Sequence, residues 1–259
     1  MITLGFSPCP NDTFIFDALV HQKIDTEGLS FETRMEDVET LNQLAMKDAL
    51  DMVKVSYHAF LYLSDRYQML DSGSALGFGV GPVLISRKQY TLEDLPNLTI
   101  AIPGEYTTAH LLLKMVAPVL KGKKVLVFHE IEDAIISGSV DAGVIIHENR
   151  FTYKKKGLRK ILDLGEFWEK MTQSPIPLGG IAVKKSLGVD LITKLNRIMR
   201  RSVVYAKEHP EDAMDFVRRN AQEMDEEVMK KHIDLYVNQY TVELGAVGEK
   251  AVENLFKLM

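Results

Sequence analysis

The chain is predicted to be a two-lobed α/β protein, and three observations carry that prediction. Short apolar, β-branched runs alternate with stretches of helical periodicity from the start to about Ile146, the signature of parallel βα units. The alternation breaks at a glycine-rich bend near residue 80 and then begins again, as if one lobe were followed by another. At 259 residues the chain also exceeds the usual single-domain size of roughly 100 to 200 residues.

Ile2 to Phe6 is the first predicted strand, followed by a helix over Thr13 to Val20 with Asn11-Asp12 as its cap. Leu29 to Met35 alternates as a strand does. Asp37 then caps a helix that carries Val38, Leu41, Leu44 and Ala45 on one face. Met52 to Val55 is the third strand, and the bend Gly77 to Pro82 feeds an apolar run, Val83 to Ser86. The second series has strands at Leu98 to Ile102, Lys124 to Phe128 and Ala142 to Ile146. Its helices open near Thr107-Thr108, running to Val116, and span Ile131 to Ser137. Ile181 to Val183 is a last strand, and from about Leu191 the sequence is almost wholly helical.

That helical block has too few apolar strands to form a lobe alone, so it is expected to pack back on the first. Lobe 1 would then comprise residues 1–87 and 180–259, lobe 2 residues 88–179, with hinges at Ser86 to Tyr90 and Pro177 to Gly180.

Apolar residues make up 46% and charged residues 26%, the composition of an ordinary globular protein. No stretch approaches the roughly 18 apolar residues of a membrane span, and Met1 to Pro10 lacks the features of an export signal. One cysteine, Cys9, rules out an intrachain disulfide and agrees with a reducing compartment; a cytoplasmic protein is expected. The net charge of −5 argues against general affinity for nucleic acid or anionic membrane, so an anionic ligand must be held by local groups. Monomer and homodimer remain equally open, and the expected partner is a small anionic molecule.

Open α/β sheets bind ligands at the carboxyl ends of their strands, where helix N-termini also point. Residues just after strands are therefore the candidates: Ser7 and Asn11, then Lys54, Val55 and Ser56, then Thr107 and Thr108, then His147 with Glu148 and Asn149. Asn11, Ser56 and the two threonines also suit plain helix caps. Hydroxyls and free N–H groups at a helix start can nonetheless hold a carboxylate without a cluster of positive charge. Lys54, if turned into a cleft, would pair with the same anion; otherwise it is an exposed strand end. Of seven histidines, His147 is best placed, because the buried-strand run Ala142 to Ile146 ends directly at its imidazole. A histidine there can accept a proton near neutrality, with Glu148 or a backbone carbonyl fixing its tautomer. His232 lies in a late amphipathic helix and suggests no role in the site. Cys9 stands between prolines with nothing to lower its thiol pKa. No metal-ligand spacing, Walker A sequence or dinucleotide fingerprint occurs, so neither a metal nor a cofactor is expected.

Taken together, Ser7-Pro-Cys-Pro-Asn-Asp-Thr-Phe14, Glu36-Asp-Val-Glu-Thr-Leu-Asn42, Lys54-Val-Ser-Tyr57, the Gly77 to Pro82 bend, Gly104-Glu-Tyr-Thr-Thr108 and Ile145-Ile-His-Glu-Asn-Arg-Phe-Thr152 resemble the 1,4-dihydroxy-6-naphthoate synthases of the futalosine route to menaquinone. The resemblance covers the chain to about residue 180, and the late helices fit it. It implies a periplasmic-binding-protein-like type II fold with the active site between the lobes. It also implies a cofactor-free carbon–carbon lyase that converts cyclic dehypoxanthinyl futalosine to 1,4-dihydroxy-6-naphthoate and dihydroxyacetone. His147 would be the proton acceptor, and Lys54 to Ser56 with Thr107-Thr108 the substrate contacts. Chorismate dehydratase of the same pathway and a non-catalytic anion-binding protein are the competing readings; the Ser-Pro-Cys-Pro-Asn-Asp start and the Ile-Ile-His-Glu segment favour the synthase.

Overall fold

Ile2–Phe6 forms β1 of a computed structural model that describes residues 1–222 and 225–258, and the chain turns at once into α1, Pro10–Val20. Pro10 stands in the first helical turn, where its fixed φ suits a helix and its missing N–H removes no bond. Cys9 therefore takes the N-cap position. Asn11 and Asp12 fall inside the helix instead of capping it, which corrects the cap assignment and leaves both side chains for other partners. Phe31–Met35 (β2) leads to α2, Val38–Met46, whose N-cap Asp37 accepts from the N–H groups of Glu39 and Thr40. Met52–Ser56 (β3), Tyr57–Phe60 (α3), Tyr67–Met69 (β4) and Ala75–Gly77 (β5) follow.

The middle of the chain supplies Val83–Ser86 (β6), Thr99–Ile102 (β7), Thr108–Val116 (α4), Gly122–Val125 (β8), Ile131–Ile136 (α5), Ala142–Ile145 (β9), Asn149–Thr152 (α6), Arg159–Asp163 (β10) and Leu164–Thr172 (α7). Ile176–Lys184 (β11) then precedes Val189–Glu208 (α8), Pro210–Asn220 (α9), Glu226–Tyr236 (α10), Gln239–Val242 (α11) and Gly245–Lys257 (α12).

Two sheets result. The first has the order β2-β1-β3-β11-β4, with β5 also on β11; the second has the order β10-β6-β9-β7-β8. In each, a parallel set is joined to antiparallel strands: β1 runs parallel to β2 and β3, and β7 parallel to β8 and β9. Their carboxyl ends, at Phe6, Ser56, Ile102 and Ile145, approach one cavity between the sheets.

Val83–Ser86 pairs with β9 and β10, so this strand belongs to the second sheet and not to the first lobe as the boundary at residue 87 would have it. The chain crosses between sheets at residues 78–82, and returns between β10 and β11 through α7. Pro177 to Gly180, expected as a hinge, lies within β11. Pro177 is accommodated because its neighbour ladder with β5 shifts register between Pro177 and Gly179, and pairing with β3 begins only at Gly179. Strand β8 stops at Val125, short of the predicted Phe128, because its sole partner β7 ends at Ile102 opposite Val125.

The two crossing segments touch backbone to backbone. A methyl group on Gly165 would stand 2.7 Å from the Cα of Gly81, and one on Gly81 would collide with the Cα of Gly165, so only hydrogen fits at either position. Arg150 secures this junction, donating to Gly81 O at 2.7 Å and pairing with Asp163 at 3.5 Å. The late helices pack back as expected: α8, α9 and α10 lie against α1, in a core that joins Phe6, Phe14 and Phe16 to Leu195, Met199 and Val217. Burying aromatic and aliphatic side chains of this size contributes roughly 1.5 to 3 kcal/mol each. Helix α12 departs from that pattern, since its Leu255 joins the core cluster that holds Leu84 and Ile100 of the second sheet.

Candidate active site

Ser7, Asn11, Lys54, Val55, Ser56, Thr107, Thr108 and His147 all line one cavity between the sheets. It encloses about 640 Å³ of empty space, counting the part open to solvent. Val38, Ala75, Val80, Ile146 and Leu178 supply apolar wall, which suits an aromatic ligand with few polar groups.

At the end of β1, Asp12 is buried and accepts three protein hydrogen bonds: from Ser7 Oγ at 2.7 Å, from Ser7 N at 3.2 Å, and from Asn11 Nδ2 at 2.9 Å. Lys54, itself buried, reaches Asp12 at 3.1 Å and donates to Gly73 O at 3.1 Å. Its charge is thus balanced inside the protein, and it does not stand as the lone counter-ion that the sequence allowed. Ser7 likewise spends its hydroxyl proton on Asp12.

Ser56 is arranged differently. Its N–H donates to Asn42 Oδ1 at 2.9 Å, and its Oγ accepts from Asn42 Nδ2 at 3.2 Å. Its hydroxyl proton thereby remains a donor at the cavity wall. Across the cavity, Thr107 caps α4 by accepting from His110 N, while the Thr108 hydroxyl donates to Leu178 O at 2.8 Å. The threonine hydroxyls are therefore engaged with protein. The groups left at this helix start are the N–H donors of Thr108 and Ala109, which have no protein acceptor among the described residues.

His147 follows β9 at φ 58°, in the left-handed region that non-glycine residues seldom occupy. Such a backbone costs on the order of 1 kcal/mol or more and persists where surroundings impose it. Phe128 meets the ring edge-on at 4.9 Å between centroids. Nε2 is buried without a protein partner among the described residues, an atom that a bound molecule can satisfy. Burial pushes the pKa down to about 4; the negative charge of Asp12 opposes this, and the positive charge of Lys54 adds to it. The imidazole is consequently neutral at physiological pH, with its lone pair available.

Beside it, the Cys9 thiol, the His147 ring and the Glu148 carboxylate have ligand atoms within 4.8 Å of one another. Burial and the neighbouring Glu148 raise the Cys9 pKa well above its ordinary value, so the sulfur stays a protonated, weakly nucleophilic wall. Behind this tip stands His232 of α10, fully buried, with Nε2 at 2.8 Å from Asn11 Oδ1 and Nδ1 at 3.9 Å from Glu148 Oε2. Tyr236, one helical turn on, packs its ring against His232 at 4.5 Å between centroids, tilted by 40°, and lines the cavity. From the sequence, His232 is one more residue of a late amphipathic helix, and neither it nor Tyr236 is a site candidate. Their i, i+4 spacing was the available signal: two polar-tipped rings on one face of a helix need partners inside.

The lobes meet around this cavity. Glu39 of α2 accepts from Tyr106 N at 3.1 Å, and the His58 ring contacts Thr107 O at 3.1 Å.

A family model described as menaquinone biosynthesis matches residues 2–259. A protein of Thermus thermophilus named 1,4-dihydroxy-6-naphtoate synthase is 46% identical over 255 residues, 98% of this chain and 92% of its own length. A protein of Streptomyces coelicolor with the same name is 42% identical over 259 residues, covering 98% and 91%. Among solved structures, the Candida albicans CA3427 product, described as having the generic periplasmic binding protein fold, matches with a TM-score of 0.66 at 14% identity, covering 100% of this chain and 90% of its own.

Proposed function

We propose, since the chain belongs to the menaquinone biosynthesis family, that it is a 1,4-dihydroxy-6-naphthoate synthase acting on cyclic dehypoxanthinyl futalosine. The observation that carries this reading is the neutral His147 imidazole at the wall of an apolar cavity, with hydrogen-bond donors across from it. In this reading the N–H groups of Thr108 and Ala109 and the hydroxyl of Ser56 hold the aromatic carboxylate, and the apolar wall covers the ring. His147 takes a proton from the sugar-derived portion. Electrons released there flow into carbon–carbon cleavage, which frees dihydroxyacetone and leaves an aromatic naphthoate; aromatisation supplies the driving force.

A positioned base contributes about 10² to 10⁴ in rate. The low pKa of the ring in the empty cavity reflects lost hydration, and an anionic substrate beside it would raise that value toward the range useful for proton transfer. Glu39 and His58 make contacts across the lobes, and closure of the lobes on a substrate would exclude water from the site.

Incubation with cyclic dehypoxanthinyl futalosine is the test. Appearance of the naphthoate absorbance together with stoichiometric dihydroxyacetone is expected. Saturable binding of the compound without turnover would overturn the catalytic reading and leave a binding protein.

A further inference from the structure

We propose that His232 is a positioning residue: with Asp12, it locks the Asn11 amide so that Asn11 offers the cavity an N–H donor and never its oxygen. The inference rests on the reading of this cavity as the substrate site.

An asparagine amide has two faces that differ in hydrogen-bonding sense, and its neighbours decide which way it turns. Asn11 lies between two buried groups. On one side is Asp12, which accepts from Ser7 N and Ser7 Oγ and pairs with Lys54 at 3.1 Å. A carboxylate so surrounded by donors has no proton to give, so the amide must turn Nδ2 toward it, as the 2.9 Å contact has it. Oδ1 is then directed at His232 Nε2, 2.8 Å away. Two acceptors cannot sit at that distance, so Nε2 carries the proton. The tautomer of His232 follows from the charge of Asp12, two hydrogen bonds away.

Two consequences converge on the cavity. One Nδ2 proton goes to Asp12 and the other is left on a residue that lines the cavity, where it suits an oxygen acceptor such as a carbonyl or a ring hydroxyl. The remaining nitrogen of His232, Nδ1, lies 3.9 Å from Glu148 Oε2, next to His147 in sequence. Helix α10 thus supports the β1 end of the site, and the Tyr236 ring holds His232 against rotation at 4.5 Å.

The first test needs no substrate. Two-bond proton–nitrogen correlation spectra of protein labelled with ¹⁵N-histidine, with the His232 signal assigned by its loss in His232→Gln, should show a neutral ring protonated at Nε2 at neutral pH. A ring protonated at Nδ1, or at both nitrogens, would overturn the inference even if the enzyme turns over the proposed substrate. The second test compares two amide replacements: glutamine places its N–H near the former Nε2, whereas asparagine reaches only as far as Nδ1. His232→Gln should keep kcat/KM within about 3-fold, and His232→Asn should lose about 10- to 100-fold, the scale of one positioned hydrogen bond. Combining His232→Asn with Asn11→Ala should cost no more than Asn11→Ala alone. Equal losses in the Gln and Asn variants, or additive losses in the double variant, would mean that His232 only fills space. Should the proposed substrate not react at all, the tautomer measurement still decides this question separately from the activity.

Discussion

At the scale of single residues, the site separates groups spent on structure from groups kept for a ligand. Lys54, Asp12 and Ser7 satisfy one another, and Thr108 ties its hydroxyl to Leu178 O. His147 Nε2 and the Ser56 hydroxyl proton are not so used. His147→Asn should accordingly leave the fold and ligand affinity nearly unchanged while turnover falls by at least about 10², since the group removed acts chiefly in the transition state. Steady-state and binding measurements on the same preparation check this, and near-normal turnover would remove His147 from the role of base. The residues at strand ends were legible in the sequence because position relative to a parallel sheet is a local property. His232 was not, because its contact with Asn11 joins positions 221 apart and depends on how α10 docks.

At the scale of elements, α2 carries the lobe contact. Its N-cap Asp37 fixes the first turn, which sets Glu39 where its carboxylate receives Tyr106 N from the facing loop and Gln43 Nε2 from its own helix. Burial is the largest influence on Glu39 and raises its pKa, so the contact depends on those donors being present. Glu39→Ala leaves the Tyr106 N–H without an acceptor and should weaken substrate binding and global stability by about 1 to 3 kcal/mol. Calorimetric binding and urea denaturation measure the two effects; an unchanged Kd would show that lobe contact through α2 is irrelevant to the bound state. Helices with caps and clear periodicity, α2 and α4 among them, were readable in advance. Strands β4, β5 and β10 were not: each is three to five residues long and takes its identity from the partner strand, not from its own pattern. The first half of strand β11 hid behind Pro177 and two glycines, residues that argue against a strand until its bulge is seen, while Ile181 to Val183 was readable.

At the scale of the whole molecule, several imidazoles are buried in neutral form. Burial lowers His147 and His58 to about 4 from an ordinary value of 6.5, and it also lowers His232 well below 6.5. At His147 and His58 the unfolded chain would bind protons near pH 6.5, and the folded chain only near pH 4. Where the unfolded state holds more protons, stability rises with pH. The contribution is therefore complete above pH 6.5 and is lost as pH falls from there toward 4, with up to about 3 kcal/mol at stake for each ring. Urea midpoints should drop steeply across this window, and a flat profile would show that these rings are hydrated. The twofold βα alternation made the two-sheet plan legible, whereas the crossing points were misplaced because a glycine-rich bend looks alike whether it stays in one sheet or leaves it.

The bare contact of Gly81 with Gly165 makes the junction act as a fulcrum. A single added carbon there would force the two crossing segments apart, and with them the sheets that they join. His147 and Ser56 would keep their own surroundings and still lose register with each other. Loss of activity from such a change would leave every catalytic side chain chemically intact.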